Sequence, residues 1–103
     1  MKAQLSIVKI GGNVIEDAEA LKLFLERFSK LKGNKILVHG GGKRATHIAS
    51  KLGVPSKMIN GRRITDADTL EVITMVYGGL VNKNIVAQLQ GLNIDAIGLT
   101  GAD

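Results

Sequence analysis

The order of apolar and polar positions divides the chain into short elements. Leu5–Ile10 reads L-S-I-V-K-I, a brief β-rich run that stops at Gly11, and predicts a buried strand. Leu21, Phe24, Leu25, Phe28 and Leu31 then recur at spacings of three and four. That spacing puts them on one face of a helix, which Asp17 can cap and Gly33-Asn34 can end. Lys35–Val38 is a second apolar strand, and strand, helix and strand in this order give a right-handed parallel crossover. Gly40–Gly42 opens a helix over about residues 43–52, with Ala45, Ile48, Ala49 and Leu52 on its apolar side. Gly53-Val54-Pro55 closes it, because Pro disfavours helix in the residue before it. Asn60-Gly61, at the centre of Lys57–Ile64, is the strongest short hairpin signal. Thr65 is expected to cap the next helix, with Asp66 and Asp68 in its first turn. That helix is expected to reach about Tyr77, loosen at Gly78-Gly79, resume through Leu80, Asn84, Ala87 and Leu89, and end at Gly91. Ile94–Leu99 is expected to be a last strand. The predicted architecture is α/β, a three-layer αβα sandwich with a mostly parallel open sheet. In such sheets ligands bind beyond the carboxyl ends of the strands, where the loops after Ile10, His39 and Thr100 all carry glycine.

Composition narrows the function. The 103 residues suffice for one domain with a real core. There is no cysteine, which excludes a disulfide framework and a thiolate metal site, and two histidines make a zinc site implausible, so no metal ligands are expected. The longest uncharged stretches, Val72–Asn82 and Asn84–Ile94, are too short to span a bilayer. Residues 3–8 are uncharged and mostly apolar, but Lys9 and Gly11-Gly12 break the run, unlike a secretory signal. A cytoplasmic protein without membrane association is expected. The net charge of +5 invites a nucleic-acid reading. Aromatic residues are only 3%, however, so bases would find almost no stacking platforms. The charge is also local: residues 34–65 carry seven basic and no acidic side chains, and residues 66–103 carry one basic and five acidic. This contrast favours a focused site for a small anion and no nucleic-acid partner, with a non-catalytic basic binding module as the alternative.

Three places carry candidate chemistry. At Lys9-Ile10-Gly11-Gly12 a strand-end ammonium can reach the ligand crevice, and backbone N–H groups can approach an anion without Cβ obstruction. A solvated lysine beside a tight turn explains the same residues. At His39-Gly40-Gly41-Gly42 three glycines join a buried strand to a positive helix end, which suits an oxyanion or phosphate as well as close packing. Asn60-Gly61-Arg62-Arg63 places two guanidiniums on the hairpin, each able to grip a carboxylate with roughly 1.5–3 kcal/mol per charged hydrogen bond, or simply to stay solvated. His39 is expected to be a packed turn residue, His47 a helix-surface residue, and Met58 and Met75 filler.

These residues also form a recognisable set. V-K-I-G-G at 8–12, L-V-H-G-G-G at 37–42, N-G-R-R-I-T-D-A at 60–67 and G-L-T-G-A-D at 98–103, with V-N-K-N at 81–84, resemble the N-acetyl-L-glutamate kinases of the amino acid kinase fold in order and spacing. The resemblance implies transfer of a phosphoryl group from ATP, as its Mg2+ complex, to the side-chain carboxylate of an N-acylglutamate in arginine biosynthesis, by a homodimer. It implies roles for matching residues: Lys9 to neutralise charge on the transferring group, Gly11 and Gly12 to donate amides to ATP phosphates, Gly41 and Gly42 to hold substrate carboxylate and transferring group, and Arg63 to clamp the α-carboxylate. Lys9, Gly12 and Gly41 are then the catalytic positions. It further implies that residues 1–103 are an N-terminal acylglutamate-binding lobe, inactive without a C-terminal nucleotide-binding lobe that this chain does not contain. Arg62 stands where relatives often carry an apolar residue, and a second guanidinium would suit N-succinyl-L-glutamate in place of N-acetyl-L-glutamate. Another kinase of the same fold, such as an aspartokinase, carbamate kinase or uridylate kinase, is the nearer alternative.

Overall fold

The computed structural model describes residues 4–103; residues 1–3, at the head of the stretch compared with a secretory signal, lie outside the described residues. Strands β1 (Leu5–Ile10) and β2 (Asn34–His39) pair in parallel, from Leu5 opposite Asn34 to Ile10 opposite His39. Between them run a short helix α1 (Gly12–Glu16), which the pattern did not predict, and α2 (Ala18–Ser29). Asp17 caps α2 as expected, its carboxylate accepting the Glu19 and Ala20 N–H groups at 3.1 Å. Leu21, Leu25 and Phe28 are the buried face of α2, while Leu31 falls beyond the helix end and stays largely exposed.

Helix α3 (Gly42–Lys51) follows the glycine run and buries Ala45 and Ala49. Strands β3 (Lys57–Ile59) and β4 (Arg62–Ile64) form the expected antiparallel hairpin. Its turn residues Asn60 and Gly61 sit at φ 51° and 75°, the left-handed pair that matches the twist of a hairpin. Next comes one continuous helical run: α4 (Ala67–Ile73), a π-helical segment Thr74–Val81, and α5 (Asn82–Gly91).

Alternation along the parallel pair decides where the core lies. Val8, Ile10 and Leu37 point at the helices and join a core built from Leu25, Phe28, Ala45, Val76 and Leu89 among others. Leu5, Ile7, Ile36 and Val38 point the other way and are 41–66% exposed. The protein is thus α/β with a parallel sheet, as the pattern predicts, and the helices of the described residues lie on one face of it.

Two expectations need correction. The cap of α4 is Asp66, not Thr65: its carboxylate accepts the Thr69 N–H at 2.8 Å. At Gly78-Gly79 the expected loosening takes the form of i→i+5 winding, in which the Asn82 N–H reaches back to the Tyr77 carbonyl. Ile94–Leu99 is not a strand. Its carbonyls are taken by side chains of α5 instead of by a neighbouring strand: Gln90 donates to Ala96 at 3.2 Å, Lys83 to Gly98 at 3.1 Å and Asn82 to Leu99 at 3.2 Å.

Candidate functional site

The register of the parallel pair sets Ile10 beside His39, so the two glycine turns leave the sheet side by side. Each turn opens a helix. The first bonds of α1 run from the Val14 and Ile15 N–H groups to the Gly11 carbonyl, and the first of α3 from the Ala45 N–H to the Gly41 carbonyl at 2.8 Å. The N–H groups of Gly12, Asn13, Gly42, Lys43 and Arg44 therefore precede the first N–H groups bonded within each helix, which is the general condition for binding an anion at a helix start. Lys43 links the turns: its stem passes over Gly12, and its ammonium donates to the Asn13 carboxamide.

The glycines divide by what explains them. A Cβ on Gly41 would come within 3.2 Å of the Tyr77 ring and 3.3 Å of Val81, so packing alone demands glycine there. Gly42 is tight as well, with the Tyr77 hydroxyl 3.4 Å from that position. Gly11 and Gly40 are different. Neither has positive φ, and no atom lies within 4 Å of where a Cβ would stand. Internal packing asks for nothing at these two positions, which leaves their backbone open to an approaching group.

Arg63 folds over the second turn. Its Nη2 donates to the Gly42 carbonyl at 2.9 Å and to Thr46 Oγ1 at 2.7 Å, and its Nη1 donates to Ser56 Oγ at 3.0 Å. Thr46 in turn donates to the Gly42 carbonyl at 2.9 Å. Arg62, opposite Ile59, alternates to the other face of β4 and is exposed. Lys9 is exposed on the outer face of the sheet, with Ile7. The structure therefore brings Gly11, Gly12, Gly41, Gly42 and Arg63 to neighbouring turns, and leaves Lys9 and Arg62 free of that cluster.

His39 is packed, but as the last residue of β2 and not in the turn, and it does more than pack. Its Nδ1 lies 2.7 Å from the Gly40 carbonyl, and its Nε2 lies 3.2 Å from the amide nitrogen of the buried Asn82. Sequence reasoning missed Thr46, Ser56, Tyr77 and Asn82. Thr46 was within reach, since it stands one helical turn after Gly42, and Asn82 lies in the V-N-K-N stretch without its role being read there; Ser56 and Tyr77 come from distant elements and carry no local signal. Among the described residues no three His, Asp or Glu side chains come together as metal ligands. A cleft of about 650 Å³ lies apart from the turns, between β2 and residues 94–101. It is lined by aliphatic side chains such as Ile36, Val38, Ile85 and Ile97, and touches the cluster only near His39, Tyr77 and Asn82.

Parallel strands that run into adjacent glycine turns, each starting a helix, define the class of the fold: α/β with a parallel sheet. The particular family is equally definite: residues 4–103 match the amino acid kinase family, and the chain belongs to it. It is 61% identical over all 103 residues to an acetylglutamate kinase of Phocaeicola vulgatus and 63% identical over 100 residues to one of Cytophaga hutchinsonii. An acetylglutamate kinase of Methanopyrus kandleri is 37% identical over 99 residues. The chain covers 40%, 38% and 37% of these three proteins, so it spans about two fifths of the length of the curated relatives it matches. Among solved structures, that of smu.665 from Streptococcus mutans UA159 superposes with a TM-score of 0.71 at 26% identity, over 93% of this chain and 40% of that one.

Proposed function

We propose that this chain is the acylglutamate-binding portion of an ATP-dependent acetylglutamate kinase. In the proposed reaction a side-chain carboxylate oxygen of N-acetyl-L-glutamate attacks the γ-phosphorus of ATP, the bond to the bridging oxygen breaks, and ADP leaves with its electron pair. No proton has to move, so the protein's task is to position the groups and balance their charge. Gly11 and Gly12 would donate amides to the phosphates. Gly41 and Gly42 would hold the reacting carboxylate and the transferring group, with Gly12 and Gly41 the catalytic backbone positions. Lys9 would swing from the outer face toward the strand end and neutralise the transferring group. Magnesium enters as the counter-ion of the nucleotide phosphates. The likeness to acetylglutamate kinases extends the proposal to a role in arginine biosynthesis, a homodimer and a cytoplasmic setting.

The observation that carries this reading is Arg63. A guanidinium held 2.9 Å from the Gly42 carbonyl, beside open N–H groups, is placed to clamp a substrate carboxylate while the helix start takes the reacting end. The acetyl form of the substrate is favoured over the succinyl form, because Arg62 and Arg63 face opposite sides of β4 and do not converge. Calorimetric titration with N-acetyl-L-glutamate tests the proposal. Arg63→Ala is expected to weaken binding at least about tenfold, the scale of one charged hydrogen-bonding group, and Arg63→Lys is expected to recover only a fraction of it. Binding of N-succinyl-L-glutamate alone would move the substrate assignment. Salt-sensitive binding of an oligonucleotide with no affinity for either amino acid would favour the basic-module alternative.

A further inference from the structure

We infer that His39 and Asn82 form a latch that fixes the Gly40–Gly41 peptide and so aims the Gly41 N–H at the bound anion. The inference rests on reading the second glycine turn as an anion site. A carbonyl can only accept, so His39 Nδ1, 2.7 Å from the Gly40 oxygen, must carry the ring proton. Nε2 is then bare and accepts from Asn82 Nδ2 at 3.2 Å. The Asn82 amide also donates to the Leu99 carbonyl at 3.2 Å, and its Oδ1 accepts from the Lys83 ammonium at 3.2 Å. Turning that amide over would set donor against donor at Lys83 and acceptor against acceptor at Leu99. Asn82 is only 6% exposed, so water cannot readily replace what a flip would lose. Its orientation is fixed, and with it the tautomer of His39.

The consequence for the turn follows from peptide planarity. In a trans peptide the C=O and the next N–H point in opposite directions. Holding the Gly40 carbonyl against the imidazole therefore turns the Gly41 N–H away from it. Without that hold, a peptide flanked by glycine on both sides could rotate at little cost. His39 and Asn82 are thus positioning residues: they touch neither substrate nor nucleotide, and they act through one backbone donor. Lys83 extends the hold by donating to the Gly98 carbonyl, which ties residues 98–99 to the same amide.

The test combines 15N NMR of the histidine rings with titrations of inorganic phosphate and N-acetyl-L-glutamate into the protein. His39 is expected to show a protonated Nδ1 and a bare Nε2. His39→Phe, which keeps ring bulk and removes both nitrogens, is expected to weaken phosphate binding about tenfold, as for a displaced hydrogen bond to a charged group. His39→Asn, whose amide can stand in for Nδ1, is expected to bring it back to within about twofold. If His39→Phe does not fold, Asn82→Ala takes its place, with a mixed His39 tautomer and about threefold weaker phosphate binding expected. An Nε2-protonated His39, or a folded His39→Phe that binds phosphate like the parent, overturns the latch while leaving the anion site intact. Failure of the unmodified protein to bind either probe overturns the site reading and the latch with it.

Discussion

A methyl group added to Gly98 would run into Asn82 Oδ1 and come within 2.8 Å of Val86 Cγ2. Gly98→Ala is therefore expected to cost about 1–3 kcal/mol, read as a lowered urea midpoint at unchanged slope. Gly91→Ala is the matched control: it has open space and a helical backbone, so it is expected to be neutral or to stabilise by about 0.5–1 kcal/mol. Equal effects of the two would mean that residues 94–99 do not rest on α5. The same contrast explains how far single residues were legible in the sequence. The glycine runs stood out as candidate chemistry, but the cause differs from one glycine to the next. Gly41 answers to Tyr77 and Val81, which lie far along the chain, whereas Gly11 and Gly40 answer to nothing inside the protein. Composition could not separate those cases, because the deciding atoms belong to another element.

The elements that could be read were those closed by their own residues. Asn60-Gly61 specifies its hairpin because both positions accept left-handed φ locally. Asp17 specifies the start of α2 for an equally local reason. Ile94–Leu99 could not be read, because a strand needs a partner that periodicity does not supply, and Gln90, Lys83 and Asn82 reached its carbonyls first. The cap of α4 yields a prediction about acid. The hydroxyl and the N–H of Thr69 beside Asp66 hold its carboxyl below the ordinary value of 3.8. Of the two, the N–H at 2.8 Å is the formed hydrogen bond; the Thr69 hydroxyl is buried with no partner of bonding geometry among the described residues. A carboxyl whose pKa is lower folded than unfolded stabilises fully above the unfolded value, and that stabilisation is lost as pH falls through the folded one. Protection of the amides across Ala67–Ile73, taken relative to the intrinsic exchange rate at each pH, is thus expected to fall below about pH 4, and Asp66→Asn, a comparable cap without charge, is expected to abolish that step. Equal acid sensitivity in parent and variant would place the cause elsewhere.

The molecule as a whole is open. Its radius of gyration is 15.1 Å, against roughly 13 Å for a compact domain of this length. In the described residues the helices lie on one face of the sheet, and residues 96–99 are hydrogen-bonded to side chains of α5 without forming a strand. One-sided burial makes a direct prediction for chemical unfolding. Ile10, 3% exposed, is expected to cost about 2–5 kcal/mol as alanine, while Ile7, on the bare face of the same strand, is expected to cost about 0.5 kcal/mol or less. Similar costs would show that both faces are covered. The wide winding at residues 74–81 bears on a different property, tolerance to changes in chain length. The bond from the Asn82 N–H to the Tyr77 carbonyl spans five residues, and it lets Tyr77 reach Gly41 while Asn82 reaches His39. In an α-helix, residues four apart share a face, and residues five apart do not. Deleting Gly79 would make the two side chains neighbours at four and allow ordinary α winding, so the contacts with Gly41 and His39 should survive and the His39 ring signals should stay in place. Inserting one alanine after Gly79 should scatter them. A helix of this kind absorbs the loss of a residue but not the gain of one.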